Sequence, residues 1–228
     1  MERVMKILAI NGSPRRNGNT ATMLAELRRG AEETGAFYEE LIADQINLEY
    51  CTGCLRCNLI KRCAVKNDEW PSVSEKILNA DVLVLGSPVY FHHVSASLKK
   101  IIDRFRSFMH VRMAENGLVH TPWQQWEKHF ILILSLGNQA VDDALPVVEL
   151  VKFMTKTLGP HNHLTTIIGN GLGKVDQLRM TEDRLLEFYS KIQMPGNLVS
   201  PHYRRNQALL EECYRVGKKI GAGKSGES

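Results

Sequence analysis

The sequence predicts an α/β fold, a three-layer sandwich on a five-stranded parallel sheet of order 2-1-3-4-5. Three observations predict it. Five short apolar runs alternate with helical stretches. The central runs lack polar alternation, as strands buried on both faces do. The first run ends in a polar, glycine-bearing loop that leads directly into a helix.

Val4 to Ile10 is the first of these runs, and it stops at Asn11-Gly12-Ser13-Pro14-Arg15-Arg16-Asn17-Gly18-Asn19-Thr20. A helix follows from about Thr20 to Glu33, closed by Gly35. Such a loop at a helix start gathers backbone N–H groups into a nest that favours a phosphate. Gly12 and Gly18 allow close backbone approach, Ser13, Asn19 and Thr20 supply donors, Arg15 supplies charge, and Asn17 sits in the same loop. The competing reading is a tight turn with Asn19 or Thr20 as a helix cap. Neither common nucleotide fingerprint is present. Gly223-Lys224-Ser225 imitates the end of one, but Lys218 stands where its first glycine belongs, so that tail reads as disordered.

Phe37 to Ala43 is a weaker second strand, and a short helix reaches about Leu78 after Trp70-Pro71. Val82 to Leu85 is a central third strand. It feeds the loop Gly86-Ser87-Pro88-Val89-Tyr90-Phe91-His92-His93-Val94-Ser95, whose last residue is placed to cap the next helix. That helix carries an apolar stripe of Leu98, Ile101, Ile102, Phe105 and Met109. Residues 110 to 128 read as polar and irregular, with Trp123 and Trp126 exposed to cover the site or meet another subunit. Phe130 to Ser135 is the fourth strand, Ala144 to Leu158 a helix, and Leu164 to Gly169 the fifth strand. Helices follow at Asp183 to about Ile192 and, after Pro201, at His202 to Ile220, where Cys213 reads as a buried apolar filler. Residues 1–175 thus form the main unit, 48–70 a cysteine-rich insertion, and 176–228 a C-terminal helical extension packed on that unit or at a subunit interface.

In an open sheet of this order the loops 11–20, 87–94 and 136–139 converge at the carboxyl edge. Pro88, Val89, Tyr90 and Phe91 would offer an apolar, partly aromatic wall suited to a flat heterocycle, or else subunit packing.

Four of the five cysteines, Cys51, Cys54, Cys57 and Cys63, fall within thirteen residues. Thiolates so spaced can hold an iron–sulfur cluster. A zinc site usually has two knuckles held apart by a longer loop, which is missing here. Reactive or unligated thiols are a third reading, and disulfides the weakest. The net charge of +4 comes without a stripe of interleaved arginine and aromatic residues, which argues against nucleic acid. No segment approaches the ~18 apolar residues of a membrane span. The N-terminal stretch lacks a signal peptide's apolar run, so a reducing, cytoplasmic setting is expected.

Taken together, Asn11 to Arg15, Gly18 to Thr20, the cysteine run 51–63, Gly86 to Phe91 with Val94-Ser95, and Ile102-Asp103-Arg104 resemble the iron–sulfur flavoprotein branch of the NAD(P)H-dependent FMN reductases. The resemblance implies a flavodoxin-like fold. It implies FMN with its phosphate on 13–20 and its ring against 88–91, beside His92, and against Gly137 and Asn138. It implies a 4Fe–4S cluster on Cys51, Cys54, Cys57 and Cys63, lying beside the flavin near a dimer interface, and dimers that pair into tetramers. Ser135-Leu136-Gly137-Asn138 departs from the Gly-Gly pair of that family. The expected activity passes electrons from transiently bound NAD(P)H, or another two-electron donor, through flavin and cluster to a carrier, quinone or small oxidant. The cofactors carry that chemistry, and Tyr90 and His92 are the side chains placed to assist it. Arg56, Lys61, Arg62 and Lys66 would compensate the cluster's charge, or else form ordinary solvated surface. The alternatives are a cluster-free FMN/quinone reductase and a non-catalytic electron-transfer or redox-sensing flavoprotein.

Overall fold

Uninterrupted runs of Ile, Leu and Val can be buried on both faces only in the middle of a covered sheet, and the computed structural model, which describes residues 3–223, builds one. Its strands are β1 (Lys6–Asn11), β2 (Phe37–Ile42), β3 (Val82–Pro88), β6 (His129–Ser135) and β7 (His163–Gly169). They lie in the order β2-β1-β3-β6-β7 and every pairing is parallel. Counting sheet strands alone, this is the expected 2-1-3-4-5 order of a flavodoxin-like fold.

The strand period of two sorts the core into halves. Leu8, Ile10, Leu83, Leu85, Phe130 and Leu132 face α3 (Trp70–Asn79), α4 (Ala96–Arg104) and α5 (Leu145–Leu158). Ile7, Ala9, Val82, Val84, Ile131 and Ile133 face α1 (Asn19–Glu33) and α7 (Val199–Gly221). Cys213 is fully buried in this second half, where burial pushes its thiol pKa up to about 12. The two helices nearly touch: a Cβ on Gly30 would lie 2.1 Å from the Tyr214 carbonyl oxygen, and one on Gly217 would lie 2.0 Å from that of Leu27.

The structure corrects several expectations. Residues 110–128 are not irregular, because Met109–Ala114 (β4) and Gly117–Pro122 (β5) pair as an antiparallel hairpin that reverses at Glu115-Asn116. Asn116-Gly117 is the local signal for it. Trp126 is buried, stacked on Phe130 and packed against Phe105 and Phe108. Trp123 is half-buried and donates from Nε1 to the Ser107 carbonyl at 3.1 Å. Helix α7 begins at Val199, three residues ahead of His202, since Pro201 falls in the first turn, where its missing N–H costs little. Helix α1 has Gly18 at its cap position and no side-chain capping bond, so neither Asn19 nor Thr20 caps it. Ser95 does cap α4, accepting from the Leu98 N–H at 3.3 Å. The short four-residue α2 (Cys57–Ile60) lies within the cysteine run, and α6 (Glu182–Lys191) precedes α7. The expected disordered stretch 224–228 lies outside the described residues. Among the described residues no helix is long and apolar enough to cross a membrane.

Candidate functional site

Three loops leave the carboxyl ends of β1, β3 and β6 on one side of the sheet. Gly12 anchors the first: its N–H donates to the Gly86 carbonyl at 2.7 Å, and a Cβ there would lie 2.8 Å from Leu98 Cβ. Only glycine fits that approach. The Ser13 N–H then donates to Asn11 Oδ1 at 2.9 Å, and the Arg15 N–H to Ser13 Oγ at 3.2 Å, which curls the loop toward the uncapped start of α1. Thr20 Oγ1 and Ser135 Oγ lie 2.7 Å apart, tying α1 to the end of β6.

A cavity of about 200 Å³ opens where the loops meet. Ser13, Arg15, Asn19, Thr20, Pro88, Val89, Tyr90 and Gly137 all line it. A fourth wall, Leu172 to Val175 after β7, was not anticipated; Gly171 and Gly173 are its only marks in the sequence. Asn19 holds that wall in place, donating to the Lys174 carbonyl at 2.7 Å and accepting from the Leu178 N–H at 3.2 Å. Among the described residues the lining carries two cations, Arg15 and Lys174, and no carboxylate, so its field favours an anion. The uncapped α1 terminus adds N–H donors of the same sense.

Asn17, Phe91, His92 and Asn138 lie outside this lining. Asn17 is exposed on the first loop. Tyr90 and His93 exchange backbone hydrogen bonds at 2.8 and 3.0 Å, closing a tight turn that puts Phe91 (φ +47) and His92 (φ +59) in the left-handed region. Such backbone costs about 1–3 kcal/mol per bulky residue. It turns Phe91 fully into solvent, while His92 Nδ1 faces Asp143 Oδ1 at 3.8 Å. Asn138 donates to Asp143 Oδ2 at 2.8 Å and accepts from the Ala140 N–H.

The cysteine run belongs to a long excursion between β2 and α3. Its neck is closed by Arg104 and Asp68, whose side chains are fully buried and 2.6 Å apart. Arg104 also donates to the Glu49 carbonyl at 2.8 Å, and Asp68 accepts from the N–H groups of Glu49 and Trp70, each at 3.1 Å. The Glu69 N–H reaches the Asn47 carbonyl at 2.9 Å. Burial alone would raise the Asp68 pKa, yet the Arg104 guanidinium and these N–H donors hold it below its usual value. Burial likewise works against the charge of Arg104, and Asp68 with the Cys63 sulfur outweighs it.

Within the neck the chain turns through left-handed residues at Gly53, Leu55, Lys61 and Asn67. These turns curl it around a cavity of about 150 Å³ lined by Cys51, Cys54, Cys57 and Cys63, with Arg104 and Arg106 on its far wall. Arg106 lies 3.5 Å from Cys57 Sγ and donates to Asn58 Oδ1 at 2.8 Å, and Asn58 in turn bonds the Val111 backbone on β4. Burial pushes the Cys57 thiol up, opposed by Arg106, whereas the Arg56 backbone N–H draws the exposed Cys54 thiol down. Among the described residues no three His, Cys, Asp or Glu side chains converge on a single-ion position. The cysteine cavity and the carboxyl-edge pocket share no lining residue, so within one chain they are separate sites.

The sequence profile of one family, described as NADPH-dependent FMN reductase, matches residues 5–151. The chain belongs to that family. Among its curated relatives, an iron–sulfur flavoprotein of Methanocaldococcus jannaschii is 38% identical over 102 residues, which are 45% of this chain and 52% of that one. An iron–sulfur flavoprotein of Archaeoglobus fulgidus is 35% identical over 106 residues, 46% of this chain and 48% of that one. The chain is similar to these iron–sulfur flavoproteins, and it spans only about half the length of the relatives it matches. Among solved structures, an NAD(P)H:quinone oxidoreductase from Methanothermobacter marburgensis superimposes with a TM-score of 0.61 at 16% identity, over 96% of this chain and 100% of that one. An FMN-dependent NADH-azoreductase from Bacillus anthracis, in complex with FMN, gives 0.57 at 13% identity, over 97% and 100%. At these identities the structural likeness bears on fold alone.

Proposed function

We propose that this FMN reductase family member is a flavin- and cluster-dependent oxidoreductase. In this reading it takes electrons from NAD(P)H or another two-electron donor and passes them to a carrier, quinone or small oxidant. The observation that carries the proposal is that four free cysteines line one cavity backed by two arginines. Four thiols lining one shared space are the ligand set of a 4Fe–4S cluster, in which each iron takes one thiolate. Zinc would need them to converge at about 2.3 Å on one point. Bound FMN supplies hydride acceptance at N5, and a cluster supplies single-electron acceptance.

The protein's own residues would do the rest. Ser13, Asn19, Thr20 and the α1 terminus would receive the phosphate, with Arg15 and Lys174 to neutralise it. Pro88, Val89 and Tyr90 form the apolar wall for the ring, with Gly137 opposite. Phe91, His92, Asn17 and Asn138 would act from outside that lining. Arg104 and Arg106, whose guanidinium groups border the cysteines, would offset their negative charge. A homodimer or homotetramer goes with this reading, with one chain's cysteines set against another's flavin. A cytoplasmic location goes with this reading.

A second reading, the cluster-free FMN/quinone reductase, is favoured by the separation of the two cavities. Anaerobic purification with iron, acid-labile sulfide and FMN assays decides between them. Iron and sulfide should be present in equal amounts and vanish in Cys54→Ala and Cys57→Ala, with FMN retained. Flavin without either element, and NAD(P)H oxidation unchanged in both variants, would establish the second reading.

A further inference from the structure

A third cavity lies on the other side of the cysteine segment, and neither cofactor reading uses it. It is a groove of about 700 Å³, between residues 60–67 and the start of α3. Its floor is apolar, formed by Ile60, Val65, Trp70, Pro71, Leu78 and Phe108. Trp70 is rigidly held there, donating from Nε1 to Ser107 Oγ at 3.1 Å and packing on Phe108 with ring centres 5.5 Å apart. The rim carries Arg56, Lys61, Arg62 and Lys66, all exposed, and among the described residues no carboxylate lines the groove.

These cations were expected to compensate a cluster, but the structure divides the labour differently. Arg104 and Arg106 border the cysteine cavity, while Arg56, Lys61, Arg62 and Lys66 line the groove and are absent from the cavity wall. Cys63, Ala64, Val65 and Ser107 are common to both and form the partition between the two spaces. Lys61 Nζ lies over the Trp123 ring at 5.5 Å, outside the groove, which leaves Arg56, Arg62 and Lys66 as the rim cations whose like charge favours an anion.

We propose that this groove is a binding site for a small aromatic anion, a carboxylate or sulfonate carried on one or two fused rings. The volume falls in the range of small-molecule sites, roughly 300–1,000 Å³. The ring would lie on Ile60, Val65, Pro71 and Leu78, backed by the buried Trp70 and Phe108, and the acid group between Arg62 and Lys66. A neutral ring would gain the floor but not the rim, and a bare inorganic anion the rim but not the floor. The groove is separate from the carboxyl-edge pocket, with which it shares no lining residue. Binding here goes beyond the flavin and cluster reading and does not depend on it.

The test is calorimetric titration of the FMN-supplemented protein with 2-naphthalenesulfonate, a ring-sulfonate that neither modifies thiols nor accepts electrons. Saturable binding is expected, with neutral 2-naphthol at least about tenfold weaker and inorganic sulfate not competing at equal concentration. Arg62→Glu with Lys66→Glu, both on the exposed rim, should weaken the sulfonate about tenfold or more and leave 2-naphthol unchanged. Saturating FMN should not displace it. Four outcomes would overturn the proposal: no saturable binding up to about 1 mM, equal affinity for the two ligands, indifference to the double charge reversal, or displacement by FMN. Charge-dependent binding of polyglutamate without naphthalenesulfonate binding would instead assign the rim to an acidic protein and would also overturn it. The comparison with 2-naphthol needs no variant, so it tests the groove even if the double substitution misfolds.

Discussion

Asp68→Asn tests how the cysteine segment is held. The substitution keeps the volume, removes the charge, and leaves Arg104 buried opposite an amide. Removing one partner of a buried, hydrogen-bonded pair costs about 3–5 kcal/mol. For a chain of this size each kcal/mol lowers Tm by about 2–4 °C, so a fall of about 10 °C is expected. Asp68→Leu combined with Arg104→Met removes both charges and should be milder than Asp68→Asn, because apolar replacement of a whole buried pair is often near neutral. Calorimetry or thermal circular dichroism reads the global effect. Alkylation of Cys57 by iodoacetamide reads the local one, since that sulfur is buried when the neck is closed. The pH dependence has a definite sign. The folded Asp68 pKa is depressed, so its contribution is present above the unfolded value near 3.9 and is lost as pH falls through the lower folded value. A Tm within about 2 °C of the parent, with unchanged Cys57 reactivity, would refute the reasoning.

Two other outcomes bear on the scaffold. Gly217→Ala would drive a Cβ to within 2.0 Å of the Leu27 carbonyl oxygen, and backbone cannot step aside as a side chain can; urea unfolding should show a loss of about 2–3 kcal/mol, whereas Gly196→Ala, whose nearest neighbour is 3.7 Å away, should stay within about 0.5 kcal/mol. Burial lowers the His129 pKa to about 4, and its Nδ1 is buried without a partner while Nε2 meets Thr165 Oγ1 at 2.7 Å. The unfolded chain therefore binds a proton that the fold refuses between about pH 6.5 and 4, so stability declines as pH falls through that window. His129→Gln should flatten the decline in urea midpoints between pH 7 and 5 without abolishing it, because His202 is shifted the same way; an unchanged slope would contradict this.

The sheet was legible because β1, β3 and β6 are buried on both faces and so carry unbroken apolar runs, while β2, at the edge with only Tyr38 fully buried, left a fainter trace. The hairpin β4–β5 was missed because its strands mix His and Arg with Met, Val and Leu and bury only Met109, and because Trp126 owes its burial to Phe105, Phe108 and Phe130 from distant segments. In the carboxyl-edge pocket, parallel topology brought together the residues whose backbone leaves strand ends. It gave no warning that Leu172 to Val175 would close the fourth side or that Asn19 would hold it. The orientation of Phe91 and His92 depends on a turn sealed by two backbone hydrogen bonds, which residue types alone do not announce. Charge was read by proximity in sequence, and so it assigned Lys61 and Arg62 to the cysteines where three-dimensional packing supplies Arg104 and Arg106.

The neck at residues 47–49 and 68–69 also isolates what lies beyond it. Both ends of the excursion are fastened to one buried arginine and to each other, so strands β2 and β3 receive fixed ends whatever happens farther out. A protease nick or an oxidised sulfur between residues 53 and 62 would leave two tethered stubs and an intact sheet. The excursion is in effect a detachable cartridge, replaceable in length and content so long as its collar is kept.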